Sequence, residues 1–311
     1  MFKQKRLLWL VNISMALALS FSPLVPAQKN KEKQKHEGKA VLWQEPADIA
    51  SRDLYLGPGG EAMKPDLSKV TYIEDQEGGS YSKKYRVHDG SGRVWIAKLS
   101  SESQAEAVAN RLLWGIGYFT EISYLIPKVT IEPKGSFENI RFEARPENIK
   151  REGEWSWDRN PFVDTPEFRG LKVLMLLLNN WDIKDENNKI LYTRNEETGE
   201  GELLYIISDL GATFGKTGGF ISRTRNKPQD YAKAKFINGV KGNYVRFNYN
   251  GKHKDLFEHI TLEDVRWAAN LISRLTDDQI TDAFRAGNYT EQEIHVLTDA
   301  LKARIEEMKS L

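Results

Sequence analysis

The residues that could do chemistry come in a fixed order. Lys98 lies in the β-prone segment Val94-Trp95-Ile96-Ala97-Lys98-Leu99, and Glu102 and Glu106 follow it four residues apart. Far downstream, Asp182 follows the apolar run Leu171 to Leu178, and Asn187 stands five residues further on. Asp209 then ends a second apolar run, Leu203 to Ser208, as Asp209-Leu210-Gly211. Phosphoryl transfer asks mainly for positioning and for neutralisation of charge. A lysine can fix the phosphates, and a helix carboxylate, here Glu106 or Glu102, can hold that lysine. A second carboxylate, Asp182, can take the proton of an acceptor hydroxyl. An amide and a third carboxylate, Asn187 or its neighbour Asn188 together with Asp209, offer hard oxygen ligands to divalent ions that bridge phosphates.

This order resembles an atypical member of the protein-kinase-like superfamily, nearer to the HipA-type, phosphatidylinositol-kinase and secretory-pathway kinases than to ordinary protein kinases. Ile96-Ala97-Lys98 matches the nucleotide lysine, and Glu106 to Leu112 the helix that carries its glutamate. Asp182 with Asn187 matches the catalytic-loop pair, and Asp209-Leu210-Gly211 the metal-binding Asp-Phe-Gly. The resemblance spans residues 70 to 300 but rests on few positions. It implies an α+β, bilobal fold with a β-rich N-lobe and a mainly helical C-lobe, and ATP with Mg²⁺ or Mn²⁺ as cofactors. Gly78-Gly79-Ser80 stands where the nucleotide-binding glycine loop belongs, short of the usual three spaced glycines. Asn180-Trp181 replaces the His-Arg that ordinarily precedes the catalytic aspartate, so activation through an arginine there is not expected.

The elements that must position these residues are readable in outline. Val70 to Ile73, Lys84 to His88 and Val94 to Leu99 are strand-like, with Asp89-Gly90-Ser91-Gly92 as a hairpin turn. Trp95, Ala97 and Leu99 share one face, which puts Ile96 and Lys98 on the other. Ser100 or Ser101 can cap a helix running to Trp114, with Ala105, Val108, Ala109 and Leu112 as its buried stripe. Tyr124 to Ile131 and Arg141 to Ala144 read as strands. Thr165-Pro166-Glu167 is a helix start. Ala212 to Lys241 reads mostly as loop. Thr261 with Asp264, Thr276 with Gln279 and Thr290 with Glu293 mark three helix starts, the last followed by the stripe Ile294, Leu297, Leu301, Ile305 and Met308.

The chain of 311 residues is long enough for a two-lobed domain, and its net charge of +1 gives no global reason to expect nucleic acid as a partner. Residues 1–27 read as an export signal: Lys3, Lys5 and Arg6, an apolar stretch broken by Asn12, Ser14, Ser20 and Pro23, then Val25-Pro26-Ala27. Its removal, three basic and no acidic residues, takes the charge from +1 to −2 and leaves no expected membrane span; the mature chain is then periplasmic or extracellular. There is no cysteine, so no disulfide supports the fold. Residues 28–65 read as a linker and extended arm, 66–150 as the N-lobe and 151–311 as the C-lobe.

Other readings are set against the first. Gly211-Ala212-Thr213-Phe214-Gly215-Lys216-Thr217 falls one residue short of a P-loop and precedes glycines instead of a helix. The histidines show no metal spacing, and no Gly-x-Ser-x-Gly elbow is present. Seven basic residues against one acid between Ala212 and Lys241 suggest a dock for an acidic or phosphorylated acceptor; the acceptor itself could be protein, lipid or small molecule. The thin glycine loop motivates a degenerate binding module, adenylyl transfer is a variant on the same scaffold, and an exposed Trp155 to Trp157 would suit a glycan or peptide.

Overall fold

The computed structural model describes residues 35–76, 82–218 and 222–311. The export-signal reading and Gly78-Gly79-Ser80 lie outside these residues. The expected α+β architecture, a β-rich part followed by a mainly helical one with a hydrophobic core in each, is what the chain adopts. A closed five-stranded barrel forms from β2 (Val70–Asp75), β3 (Lys83–His88), β4 (Val94–Leu99), β5 (Ser123–Glu132) and β6 (Gly135–Ala144), in the order β2-β3-β4-β6-β5. Alternation along the strands fills its interior with Tyr85, Val87, Trp95, Ala97, Ile131, Ile140 and Phe142, all buried. The opposite face of the same strands carries Lys98. One helix, α1 (Ser103–Gly115), crosses between β4 and β5. It is buried on nearly every side, with Glu106 and Asn110 enclosed as fully as Val108 and Leu112.

Before the barrel, β1 (Lys39–Val41) joins a second sheet, ordered β1-β9-β8-β7. Here β7 is Lys150–Gly153, β8 Asn188–Arg194 and β9 Gly201–Ile207. The rest is mainly helical: α2 (Pro166–Leu177), α3 (Pro228–Lys233), the hairpin β10 (Ile237–Lys241) and β11 (Tyr244–Phe247), then α4 (Leu262–Ile272), α5 (Asp277–Ala286) and α6 (Glu291–Lys309). The stretch after Gly211, expected as loop, therefore holds a short helix and part of a hairpin. All three threonine starts form reciprocal capping boxes. Thr165 caps α2 through Phe168 N, with Pro166 at the first helical position. Ser100 Oγ accepts from Glu102 N at 3.2 Å, but no side chain caps α1 itself. No helix among the described residues is long and apolar enough to cross a membrane.

Candidate active site

Lys98 is 2% exposed, and its ammonium lies 3.0 Å from Glu106 Oε2 and 2.7 Å from Asp209 Oδ1. Strand β4 aims the lysine out of the barrel, α1 presents the glutamate from behind, and the end of β9 delivers Asp209 from the other lobe. Burial would depress the Lys98 ammonium, but Glu106 and Asp209 outweigh it and hold its pKa above the ordinary lysine value. Burial likewise would raise the Asp209 carboxyl, and Lys98 reverses the sign, holding it below the usual carboxylate range. Glu102 also reaches Lys98, at 3.5 Å, but turns its other oxygen to Arg225. Glu106 is thus the inner partner and Glu102 the outer one.

Asp209 has φ 55°, in the left-handed region, at a cost of roughly 1–2 kcal/mol. The twist ends β9 and swings the carboxylate toward Lys98. Gly211 follows against α1: a Cβ there would lie 2.5 Å from the Glu102 Cβ. The glycine of Asp209-Leu210-Gly211 therefore permits close approach of the two lobes' elements.

The β8–β9 hairpin explains why Asn187 and Asp209 come together. Asn188 pairs with Ile207, and Ser208 N donates to Asn187 O at 2.9 Å, so Asn187 sits beside the residue preceding Asp209. Asn187 Nδ2 donates to Asp182 O at 2.9 Å, which closes the loop between the two. Asn188 is fully buried and donates to Trp155 O, away from the cleft. Of the two amides left open by the sequence, Asn187 has the position. Asp182 pairs with Lys184 through Oδ2 at 2.8 Å and with Lys252 through Oδ1 at 2.6 Å.

Among the described residues no three His, Cys, Asp or Glu side chains converge as a ready-made metal cage. Asp209 and Asn187 still fit a Mg²⁺-type ion, which takes one or two carboxylate or carbonyl ligands and completes its octahedron with phosphate oxygens and water.

Several residues of the site have no counterpart in the sequence reading. Arg141 on β6 lies directly opposite Lys98 and pairs with Glu106 at 3.1 Å and Glu143 at 2.7 Å. Glu143 also meets Arg145 and, at 2.9 Å, Arg151. Arg151 continues to Glu121 at 2.7 Å, and Glu121 accepts from Ser208 Oγ at 2.6 Å. A chain of alternating charge thus runs from Glu106 to the residue before Asp209. Lys184, two residues after Asp182, had a sequence signal in its spacing. Lys252 had none, because the loop at 248–253 reaches Asp182 only through tertiary folding.

The basic stretch folds beside Asp182. Trp181 Nε1 donates to Thr224 O at 2.9 Å, and the guanidiniums of Arg223 and Arg225 lie 5.6 and 5.3 Å from its ring centre. The Trp155 to Trp157 reading needs correction. Both indoles are buried, 3% and 1% exposed, Trp155 edge-on and Trp157 tilted against Phe168, and Trp155 Nε1 donates to Ile206 O. They are core of the C-lobe and present no face to a glycan.

No protein-family model matches the chain, and no curated protein matches it. Among solved structures it is similar to the crystal structure of a Helicobacter pylori proinflammatory kinase, CtkA: 13% identity, 77% of this chain and 95% of that chain covered, TM-score 0.47. It is also similar to the Rio2 kinase–ADP/Mg²⁺–phosphoaspartate complex from Chaetomium thermophilum, at 12% identity, with 79% and 74% covered and TM-score 0.32. These are likenesses of overall layout; the positions of Lys98, Glu106, Asp182, Asn187 and Asp209 come from this chain's own geometry.

Proposed function

We propose that this chain is an exported, ATP-dependent kinase-like phosphotransferase of the atypical kind. The observation that supports this best is the contact of one buried lysine, Lys98, with both the helix carboxylate Glu106 and the strand-end carboxylate Asp209, brought from sites 111 residues apart in sequence. Lys98 would hold the nucleotide phosphates while Glu106 fixes its rotamer. Asp209 and Asn187 would hold the divalent ion, which when bound neutralises charge on the phosphates. Asp182 would accept the proton of the acceptor hydroxyl as its oxygen bonds to the terminal phosphorus. The bond from that phosphorus to the bridging oxygen then breaks, and nucleoside diphosphate departs with the electron pair.

Lys184 and Lys252 pair with Asp182, and Arg223 lies over the ring of the neighbouring Trp181; this positive charge favours an acceptor bearing an anionic group. The test is calorimetry of Mg²⁺-ATP against wild type and Asp209→Ala. Wild type is expected to bind, and the variant to lose at least about tenfold, the least expected for a lost charge-assisted contact. Absence of binding in wild type would end the enzyme reading. Intact mass of the product distinguishes phosphoryl from adenylyl transfer.

A second reading draws on the direct Lys98–Asp209 ion pair, which occupies the carboxylate a metal would use. It makes the chain a kinase-fold binding module, and turnover abolished by Asp182→Ala would remove it.

A further inference from the structure

The barrel strands are in register at the site: Lys84 on β3 lies opposite Lys98 on β4, which lies opposite Arg141 on β6. Side chains at paired positions of adjacent strands point to the same face. On β3, Tyr85 and Val87 fill the barrel, so Lys84 shares the outer face with Lys98 and Arg141. Three cations therefore stand in one row across the strands that face Asp209.

Two members of the row have carboxylates of their own. Arg141 is taken by Glu106 and Glu143, and Lys98 by Glu106, Glu102 and Asp209. Lys84 is half-buried, and no carboxylate among the described residues pairs with it. Its environment is nonetheless that of the site. Burial and the neighbouring Lys98 and Arg141 lower its pKa, while Asp209 and Glu143 act in the opposite sense. A half-buried ammonium beside two other cations lacks compensation until an anion arrives. Mg²⁺ on Asp209 would take one carboxylate from Lys98, which keeps Glu106 and Glu102, and would leave Lys84 to find its negative charge on the phosphates.

In the sequence, Gly78-Gly79-Ser80 has fewer glycines than the three-glycine pattern of a phosphate-covering loop. We infer that Lys84 is a second phosphate-binding residue, gripping the nucleotide's polyphosphate from β3 together with Lys98 on β4. This rests on the phosphotransferase reading above and names a residue that the reading leaves out.

The experiment titrates Mg²⁺-ATP, Mg²⁺-ADP, adenosine and Mg²⁺-tripolyphosphate against wild type, Lys84→Gln and Lys84→Arg, with thermal melting as the check on folding. Lys84→Gln is expected to weaken ATP and tripolyphosphate about 10- to 100-fold, as for loss of one charge-assisted contact. Its adenosine affinity stays at the wild-type value, and Lys84→Arg recovers most of the loss. Wild-type ATP and tripolyphosphate affinity in Lys84→Gln overturns the inference while leaving the phosphotransferase reading intact. An equal loss for adenosine assigns Lys84 a structural role and overturns it as well. A wild type that binds neither nucleotide nor tripolyphosphate removes both.

Discussion

At the scale of single residues the site is an ionic one, and acid is the way to probe it. The Glu143 carboxyl would be raised by burial, but Arg145, Arg141 and Arg151 hold it well below the ordinary 4.5. A depressed carboxylate adds stability above its unfolded-state value, and that stability is lost as pH falls through the lower native value. Asp209 has the same sign against 3.8, though its half-exposed side chain makes its share smaller. Wild-type stability in urea should therefore fall steeply below about pH 4.5. Glu143→Gln should be roughly 3 kcal/mol less stable at neutral pH, where Arg145 loses its carboxylate and Arg141 and Arg151 keep only Glu106 and Glu121, and should show a shallower acid limb. Parallel acid limbs in both proteins would deny Glu143 that part. Lys98, Glu106, Asp182, Asn187 and Asp209 were legible as an order of residue types. Arg141 and Glu143 were not: a strand flanked by barrel and helix buries both faces, and sequence alternation names only one. Trp155 and Trp157 misled because their polar neighbours, Glu154, Ser156 and Asp158, suggest surface.

Among the elements, the helix starts were plain because capping is local chemistry: a threonine and a carboxylate or amide three residues apart suffice. What holds α2 in place is tertiary and was invisible. Arg304 on α6 is 4% exposed, donates to Leu177 O and Asn179 Oδ1 at 3.0 Å, and reaches Tyr231 O at 2.9 Å. Its guanidinium also lies 4.0 Å from the Tyr231 ring centre. On a helical wheel it borders the stripe through Leu301 and Ile305 and reads as one more solvated charge. It instead fixes the end of α2, from which the chain runs straight into Asn180, Trp181 and Asp182. Arg304→Met should cost about 3 kcal/mol by leaving buried carbonyls unpaired. Hydrogen exchange should report faster opening at residues 178–182 than in the barrel; uniform acceleration everywhere would refute a local anchor. The short α3 and the β10–β11 hairpin were missed for a related reason: at six, five and four residues these elements are too short to show a period, and packing stabilises them.

For the molecule as a whole, the segment from β1 to Gly57 connects what lies far apart in sequence. Lys39 pairs with Glu202 and Val41 with Leu204 on β9. Ile49 O and Arg52 O accept from Gln279 of α5 at 2.7 and 2.9 Å. Tyr55 O accepts from the buried Arg111 of α1 at 3.2 Å, and Leu54, 1% exposed, lies against Gly115. Joining β1 to β9 closes a loop over about half of the chain, and the entropy of so long a closure is recovered only after the partners on both sides exist. Docking of this segment then falls after the rate-limiting step of folding. Leu54→Ala should lower stability by roughly 2–5 kcal/mol and express nearly all of it as faster unfolding, with the refolding limb of the chevron unmoved. A slowed refolding limb would place the segment in the nucleus instead. The cleft that brings Lys98 to Asp209 would thus be assembled early, and its lifetime set by a contact made last.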